Sequence, residues 1–189
     1  MTFITVSRAK DAARVRWGTE VRAIAEVKKS ANAPIDTIFD VFISHSYEDA
    51  DVIAGVKAII EGTGLSAYVD WIEDAQLDRS QVSPATADQL RKRMNNCRFL
   101  LFVTSSASPH SKWMPWELGY FDGLKRGKVG IFPIVKKDGD DFHGQEYLGL
   151  YPLYQEINFR VDGRKLGRYT AVDRTQGELL EMDVRRLTR

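Results

Sequence analysis

The sequence predicts an α/β fold, a parallel sheet covered by helices on both faces, and three observations carry that prediction. Short, almost continuously apolar runs recur at 39–43, 65–71, 98–105 and 130–135. Amphipathic helical patterns separate them, and polar, Ser-rich stretches follow the first and third runs. Strands apolar at nearly every position are strands buried on both faces. In such sheets ligands bind beyond the carboxyl ends of the strands, where strand order reverses.

In chain order, residues 7–29 place Ala9, Ala13, Trp17, Val21 and Ile24 at steps of three and four among Arg, Lys and Glu. That is an amphipathic helix, to be packed on the domain or on a second copy. Residues 30–34 lack periodicity and end in Pro34, as a linker does. The first strand, 39–43, is broken at its carboxyl end by Ser44, His45 and Ser46. Ser46 and Asp49 have capping-box spacing with Asp in place of Glu or Gln, and Val52, Val56, Ile59 and Ile60 mark one face of the following helix. A second strand at 65–71 leads into a polar loop, 72–82, long for a tight connection and charged from Glu73 to Arg79. Ser83 and Pro84 read as N-cap and first residue of a helix that buries Ala87, Leu90 and Met94 and stops at Asn95 and Asn96. After the third strand and the loop 105–110, a helix running to about Gly127 turns Leu118, Phe121 and Leu124 to the sheet. A fourth strand at 130–135, a charged turn at 136–144, a helical turn at 147–150 and a fifth, edge strand at 154–159 complete the core. Beyond Arg160 comes a Gly- and Arg-rich tail with a short helix predicted at 176–187. The organisation expected is an amino-terminal helix and linker at 1–35, one domain at 36–160 and a tail at 161–189.

Composition narrows the function. With 189 residues and 43% hydrophobic side chains, one core is the expectation. Lys and Arg total 27 against 26 for Asp and Glu, so the net charge of +1 gives no reason to expect nucleic acid or an acidic membrane as partner. Cys97 is the single cysteine, which excludes an internal disulfide and a Cys-based zinc cluster and suits a reducing cytosol; it reads as a buried small hydrophobe. No run of about 20 apolar residues is present to span a bilayer, and residues 1–4 lack the start of a secretory signal. A soluble, cytoplasmic protein is the expectation.

The richest stretch is 111–120, with Trp113, Pro115, Trp116, Glu117 and Tyr120 opening a helix behind a Ser-rich loop. Helical steps of four and three put Trp113, Glu117 and Tyr120 on one face if the helix already includes Trp113, whereas Pro115 allows a later start. A carboxylate among aromatics is a candidate reaction centre; a Glu answering the helix dipole and Trp anchors in the core are the alternative. Nucleotide signatures of the Gly-x-Gly-x-x-Gly and Gly-rich, Lys-Ser/Thr types are absent, as is a Gly-x-Ser-x-Gly elbow around Ser44 or Ser46. His110 and His143 lack metal-ligand spacing and read as surface residues, and Asp138, Asp140 and Asp141 lack calcium-loop spacing, so no metal is expected.

Two of these stretches carry a resemblance. Residues 39–46, Phe-Asp-Val-Phe-Ile-Ser-His-Ser, resemble the opening strand motif of Toll/interleukin-1 receptor (TIR) domains. Residues 111–118, Ser-Lys-Trp-Met-Pro-Trp-Glu-Leu, resemble their Ser-x-Trp-Cys-x-x-Glu-Leu motif, with Met114 replacing Cys. The resemblance covers 38–159 and is closest to the stand-alone bacterial members. It implies a flavodoxin-like sheet of five parallel strands and cleavage of NAD at the nicotinamide–ribose bond, with NAD as substrate and no resident cofactor. Glu117 is then the catalytic carboxylate, and Ser44, His45, Ser46, Trp71, Trp113, Trp116 and Tyr120 are candidate substrate-binding residues. The family's Arg-Asp-x-x-Pro-Gly loop pattern is missing from 71–79. That loop governs assembly in the family, so a homo-oligomer through 72–82 and neighbouring helices is the implied partner, and an anti-phage or immune signalling role the implied setting. A TIR module used only for association, and an enzyme like the nucleoside deoxyribosyltransferases, are the competing expectations.

Overall fold

The structure, a computed structural model, describes residues 2–18, 33–74, 82–161, 164–172 and 179–180. Among the described residues eight strands form one sheet: β1 (Ile4–Thr5), β2 (Phe39–Ser44), β3 (Ala67–Tyr68), β4 (Cys97–Thr104), β5 (Val129–Val135), β6 (Leu153–Val161), β7 (Arg164–Val172) and β8 (Leu179–Leu180). The helices are α1 (Val6–Trp17), α2 (Ala50–Glu61), the single turn α3 (Asp70–Glu73), α4 (Pro84–Asn95) and α5 (Trp113–Leu124). The order is β3-β2-β4-β5-β6-β7-β8, with β1 pairing β5. Strands β3, β2, β4, β5 and β6 are mutually parallel. In chain order these five run second, first, third, fourth, fifth, the flavodoxin-like order, with its reversal between β2 and β4.

Alternation along the strands divides the interior. Val41, Ile43, Phe99, Leu101, Val103, Phe132 and Ile134 pack under α1 and α2. Phe42, Leu100, Phe102, Val129 and Ile131 pack under α4 and α5. Each large side chain so buried contributes about 1.5–3 kcal/mol before entropy is subtracted. Helix α2 buries Val52, Val56 and Ile60 as its pattern predicts, but also Ile53, Ala54 and Gly55. The reason is α1, which lies on its outer side. A Cβ added at Gly55 would stand 1.8 Å from the carbonyl oxygen of Ala9, so the two backbones cross where a side chain cannot fit. The amino-terminal helix thus packs on its own domain through Ala9 and Ala13, and the expected continuation through Val21 and Ile24 falls outside the described residues. So do residues 30–32 of the expected linker.

Several boundaries depart from expectation. The second strand pairs only at Ala67 and Tyr68, because the chain turns into α3 at Asp70. Ile72, Glu73 and Asp74, expected in an exposed loop, are 1%, 9% and 3% exposed, while 75–81 lie outside the described residues. Helix α4 starts at Pro84 with the Ser83 side chain accepting from the Thr86 N–H, as its sequence predicts. Helix α5 ends at Leu124, short of Gly127, and leaves Leu124 41% exposed instead of facing the sheet. Strand β6 is not an edge: β7 pairs with it antiparallel from Leu153–Val172 to Val161–Arg164. Residues 179–180, placed in a predicted helix, are a strand against β7, and 181–187 lie outside the described residues.

Candidate active site

Ser44 is the last residue of β2, paired with Phe102 of β4 at the reversal of strand order. Counting from Phe42, alternation sends its side chain to the α5 side. Helix α5 begins at Trp113, with the Ser111 hydroxyl accepting the Met114 N–H at 3.3 Å. Pro115 therefore sits in the first turn, where a missing N–H costs nothing. Glu117 is the fifth helical residue, and the first turn holds no acidic side chain. A dipole effect confined to the first turn does not account for it.

Glu117 points inward instead. The Ser44 hydroxyl donates to Glu117 Oε2 at 2.6 Å, and both residues are 0% exposed. A carboxylate removed from water is costly unless other groups satisfy it, and Ser44 supplies one such bond from a residue 73 positions away. Trp113, 6% exposed, closes against the same apolar cluster as Met114, Leu118 and Phe121.

The other aromatics go elsewhere. Trp116 meets Trp113 edge-on at 5.5 Å but stacks on Tyr120 at 5.7 Å and 18°. Arg91 of α4 lies over both rings, at 5.4 and 5.9 Å from their centres. Trp116 and Tyr120, four residues apart, form a face toward α4 with a cation on it. The helix includes Trp113, so Trp113, Glu117 and Tyr120 share a face by spacing, while the Tyr120 ring stacks on Trp116 beside Arg91.

His45 and Trp71 fall on the other side of β2. His45 Nδ1 lies 2.9 Å from the Ile43 carbonyl, and Nε2 lies 3.4 Å from Asp70 Oδ1. Trp71 packs with the α1–α2 cluster and does not join Trp113. Ser46 precedes the turn Tyr47–Asp49 but makes no side-chain cap, contrary to the capping-box expectation. Asp49 instead accepts a 2.6 Å bond from Ser105, tying the loop after β2 to the loop after β4 across the reversal point. Burial raises the Asp49 carboxyl above its ordinary range against the Ser105 bond, with Asp51 and Glu48 adding to the rise. The serines of the second loop serve its backbone: Ser108 Oγ accepts from Ser105 N–H and Ser105 Oγ from Ala107 N–H.

Sequence reasoning missed the ionic anchoring of α3. Asp70 faces His45, Glu73 lies 3.2 Å from Lys57 of α2, and Asp74 is held by Arg93 of α4. Arg93 also donates to the carbonyls of Pro34 and Ala33, both at 2.7 Å, and lies over the Tyr68 ring. Tyr68 donates to Asp74 at 2.6 Å, and burial, with Asp70 and Asp74 beside it, pushes its hydroxyl well above the tyrosine range. An apolar helix face interrupted by one Arg four residues before a strand was the available signal. His110 and His143 are exposed. Among the described residues no group of three His, Cys, Asp or Glu side chains could hold a metal ion. A cavity of about 550 Å³ lies between residues 33–35 and α4, and one of about 390 Å³ at the ends of β4 and β5; Glu117 lines neither.

The fold and this buried pair define a flavodoxin-like domain with a sequestered carboxylate at the point where strand order reverses. The chain belongs to the TIR domain family, whose model matches residues 41–168. It is 61% identical over 116 residues to "Probable 3' cyclic ADP-D-ribose synthase ThsB'" of Bacillus cereus (strain MSX-D12), a match covering 61% of this chain and 60% of that protein. It is 37% identical over 93 residues to "Putative cyclic ADP-D-ribose synthase TIR2" of Cytobacillus dafuensis, covering 49% of this chain and 24% of that protein. The chain thus spans less than two thirds of the length of either relative.

Proposed function

We propose that the chain cleaves the nicotinamide–ribose bond of NAD and closes the ADP-ribose part into a cyclic isomer, with linear ADP-ribose as the product when water intervenes. The observation that carries this is the fully buried Glu117 bonded to Ser44 at the reversal of strand order. Family membership and the names of the two relatives support the chemistry.

The leaving nicotinamide is already cationic in NAD, so it departs as a neutral base with the bonding pair and needs no general acid, unlike the leaving group of an ordinary glycoside. One carboxylate then suffices. Ionised Glu117 binds the hydroxyls of the nicotinamide-side ribose and offsets the positive charge that develops on it, an effect strengthened where Trp113 excludes water. Ser44 holds the carboxylate in register. The cation is captured by a ring nitrogen or a hydroxyl of the same molecule, or by water, the attacking hydroxyl or water giving up its proton to solvent. Because Glu117 has no exposed surface, NAD reaches it only when the side chains over it part.

The protein works in the cytoplasm, in anti-phage or immune signalling, and self-associates through residues 75–82 and neighbouring helices. Residues 72–74 are buried and are not part of that contact surface. Among the described residues no helix is long and apolar enough to cross a membrane. The test is incubation of the purified chain with NAD at low and high protein concentration, following nicotinamide by chromatography. Release at either concentration, with a cyclic product by mass, supports the proposal; no release at both leaves an association module, and turnover of deoxynucleosides alone indicates the transferase-like chemistry.

A further inference from the structure

His45 follows Ser44 directly, yet its ring takes no part in the bond to Glu117. A carbonyl only accepts, so the 2.9 Å contact between Nδ1 and the Ile43 carbonyl requires Nδ1 to carry the hydrogen and donate it. The bond runs from residue 45 back to residue 43, and Ser44 is the single residue enclosed. The β2–β4 ladder ends at the Ser44–Phe102 pair, so the backbone beyond Ser44 has no strand pairing to this neighbour. The His45 clamp stands where the ladder stops. Nε2 faces Asp70 Oδ1 at 3.4 Å, with the two side chains 1% and 2% exposed. Asp70 opens α3, a position that favours a carboxylate.

We infer that His45 is a positioning residue for the reaction proposed above, fixing Ser44 and through it the Glu117 carboxylate. The inference rests on that proposal and changes the role of His45 from substrate contact to support of the residue that touches Glu117. A 2.6 Å hydroxyl–carboxylate bond is steeply sensitive to where the hydroxyl sits. Release of the clamp lets Ser44 drift while leaving the space around the substrate intact.

The test is a set of variants assayed for nicotinamide release over a range of NAD concentrations, with thermal unfolding checked on each. Asn can donate from nearly the place of Nδ1, whereas Gln reaches toward the place of Nε2. His45→Ala is expected to lower kcat by about tenfold or more with KM little changed, as misplacement of a reacting group does. His45→Asn should recover most of kcat, and His45→Gln should not. Unchanged kcat in His45→Ala, a loss carried by KM, or better rescue by Gln than by Asn overturns the inference while NAD cleavage stands. If His45→Ala fails to fold, the Asn and Gln pair decides it. No nicotinamide release by the wild-type chain overturns the parent reading and this inference together.

Discussion

Arg93 and Asp74 meet in the interior through two side-by-side hydrogen bonds, Nε to Oδ2 at 2.8 Å and Nη2 to Oδ1 at 2.7 Å, with the residues 1% and 3% exposed. The same guanidinium holds the carbonyls of Ala33 and Pro34, so one side chain joins α4, the end of α3 and the chain entering β2. Arg93→Met leaves the Asp74 charge buried with one ionic partner removed, a change that costs about 3–5 kcal/mol. Urea unfolding followed by circular dichroism should show a midpoint well below wild type. An unchanged midpoint contradicts the structural role given to this pair.

The crossing of α1 and α2 makes a second prediction. Gly55→Ala drives a methyl group into the Ala9 carbonyl, and a backbone atom cannot rotate aside. Overpacking of this kind costs about 1–3 kcal/mol. Limited proteolysis should cut the amino-terminal helix of the variant sooner than that of wild type, and equal cutting contradicts the close crossing.

Alkaline pH supplies a third. Burial pushes the Cys97 thiol from 9.0 up to about 12 in the folded chain, with Lys125 and Arg93 opposing the shift. Between those values the unfolded chain has lost the proton and the folded chain keeps it. Unfolding therefore releases a proton, and stability falls as pH rises above 9, by about 1.4 kcal/mol per pH unit from this group. Burial raises the Tyr154 hydroxyl as well, which adds to the fall at still higher pH. Unfolding measured from pH 8 to 10.5 should show this slope, and Cys97→Ala should flatten it; parallel curves for the two proteins contradict it.

Much of this was legible in the sequence, and the failures have physical causes. Strands β2, β4 and β5 were readable because burial on both faces makes them apolar throughout, and α4 because Ser83 and Pro84 announce its start. Strand β3 was overestimated since a short apolar run looks alike as strand or buried helical turn, and Glu73 and Asp74 read as part of a charged loop. The groups that face Asp70, Glu73 and Asp74, namely His45, Lys57 and Arg93, come from three separate stretches of the chain. Such pairing leaves no local pattern. At the site, Glu117 was legible from its aromatic neighbours and its motif. The Ser44 bond needed the topology, and the turn of Tyr120 toward α4 needed the position of Arg91.

Ser44→Ala removes the hydroxyl from Glu117 without adding bulk. Loss of a bond to a buried charged group is worth about 1.5–3 kcal/mol, so nicotinamide release is expected to fall by roughly ten- to hundredfold. Wild-type rates in this variant would show that Ser44 does not hold the carboxylate for reaction.

The central claim is that the Glu117 carboxylate carries NAD cleavage, and Glu117→Gln addresses it with the least disturbance. The amide keeps the size and can still accept from Ser44, while the negative charge is lost. Chromatographic measurement of nicotinamide released from NAD should show none above background from a variant whose circular dichroism and unfolding midpoint match wild type. Release at the wild-type rate would contradict the account.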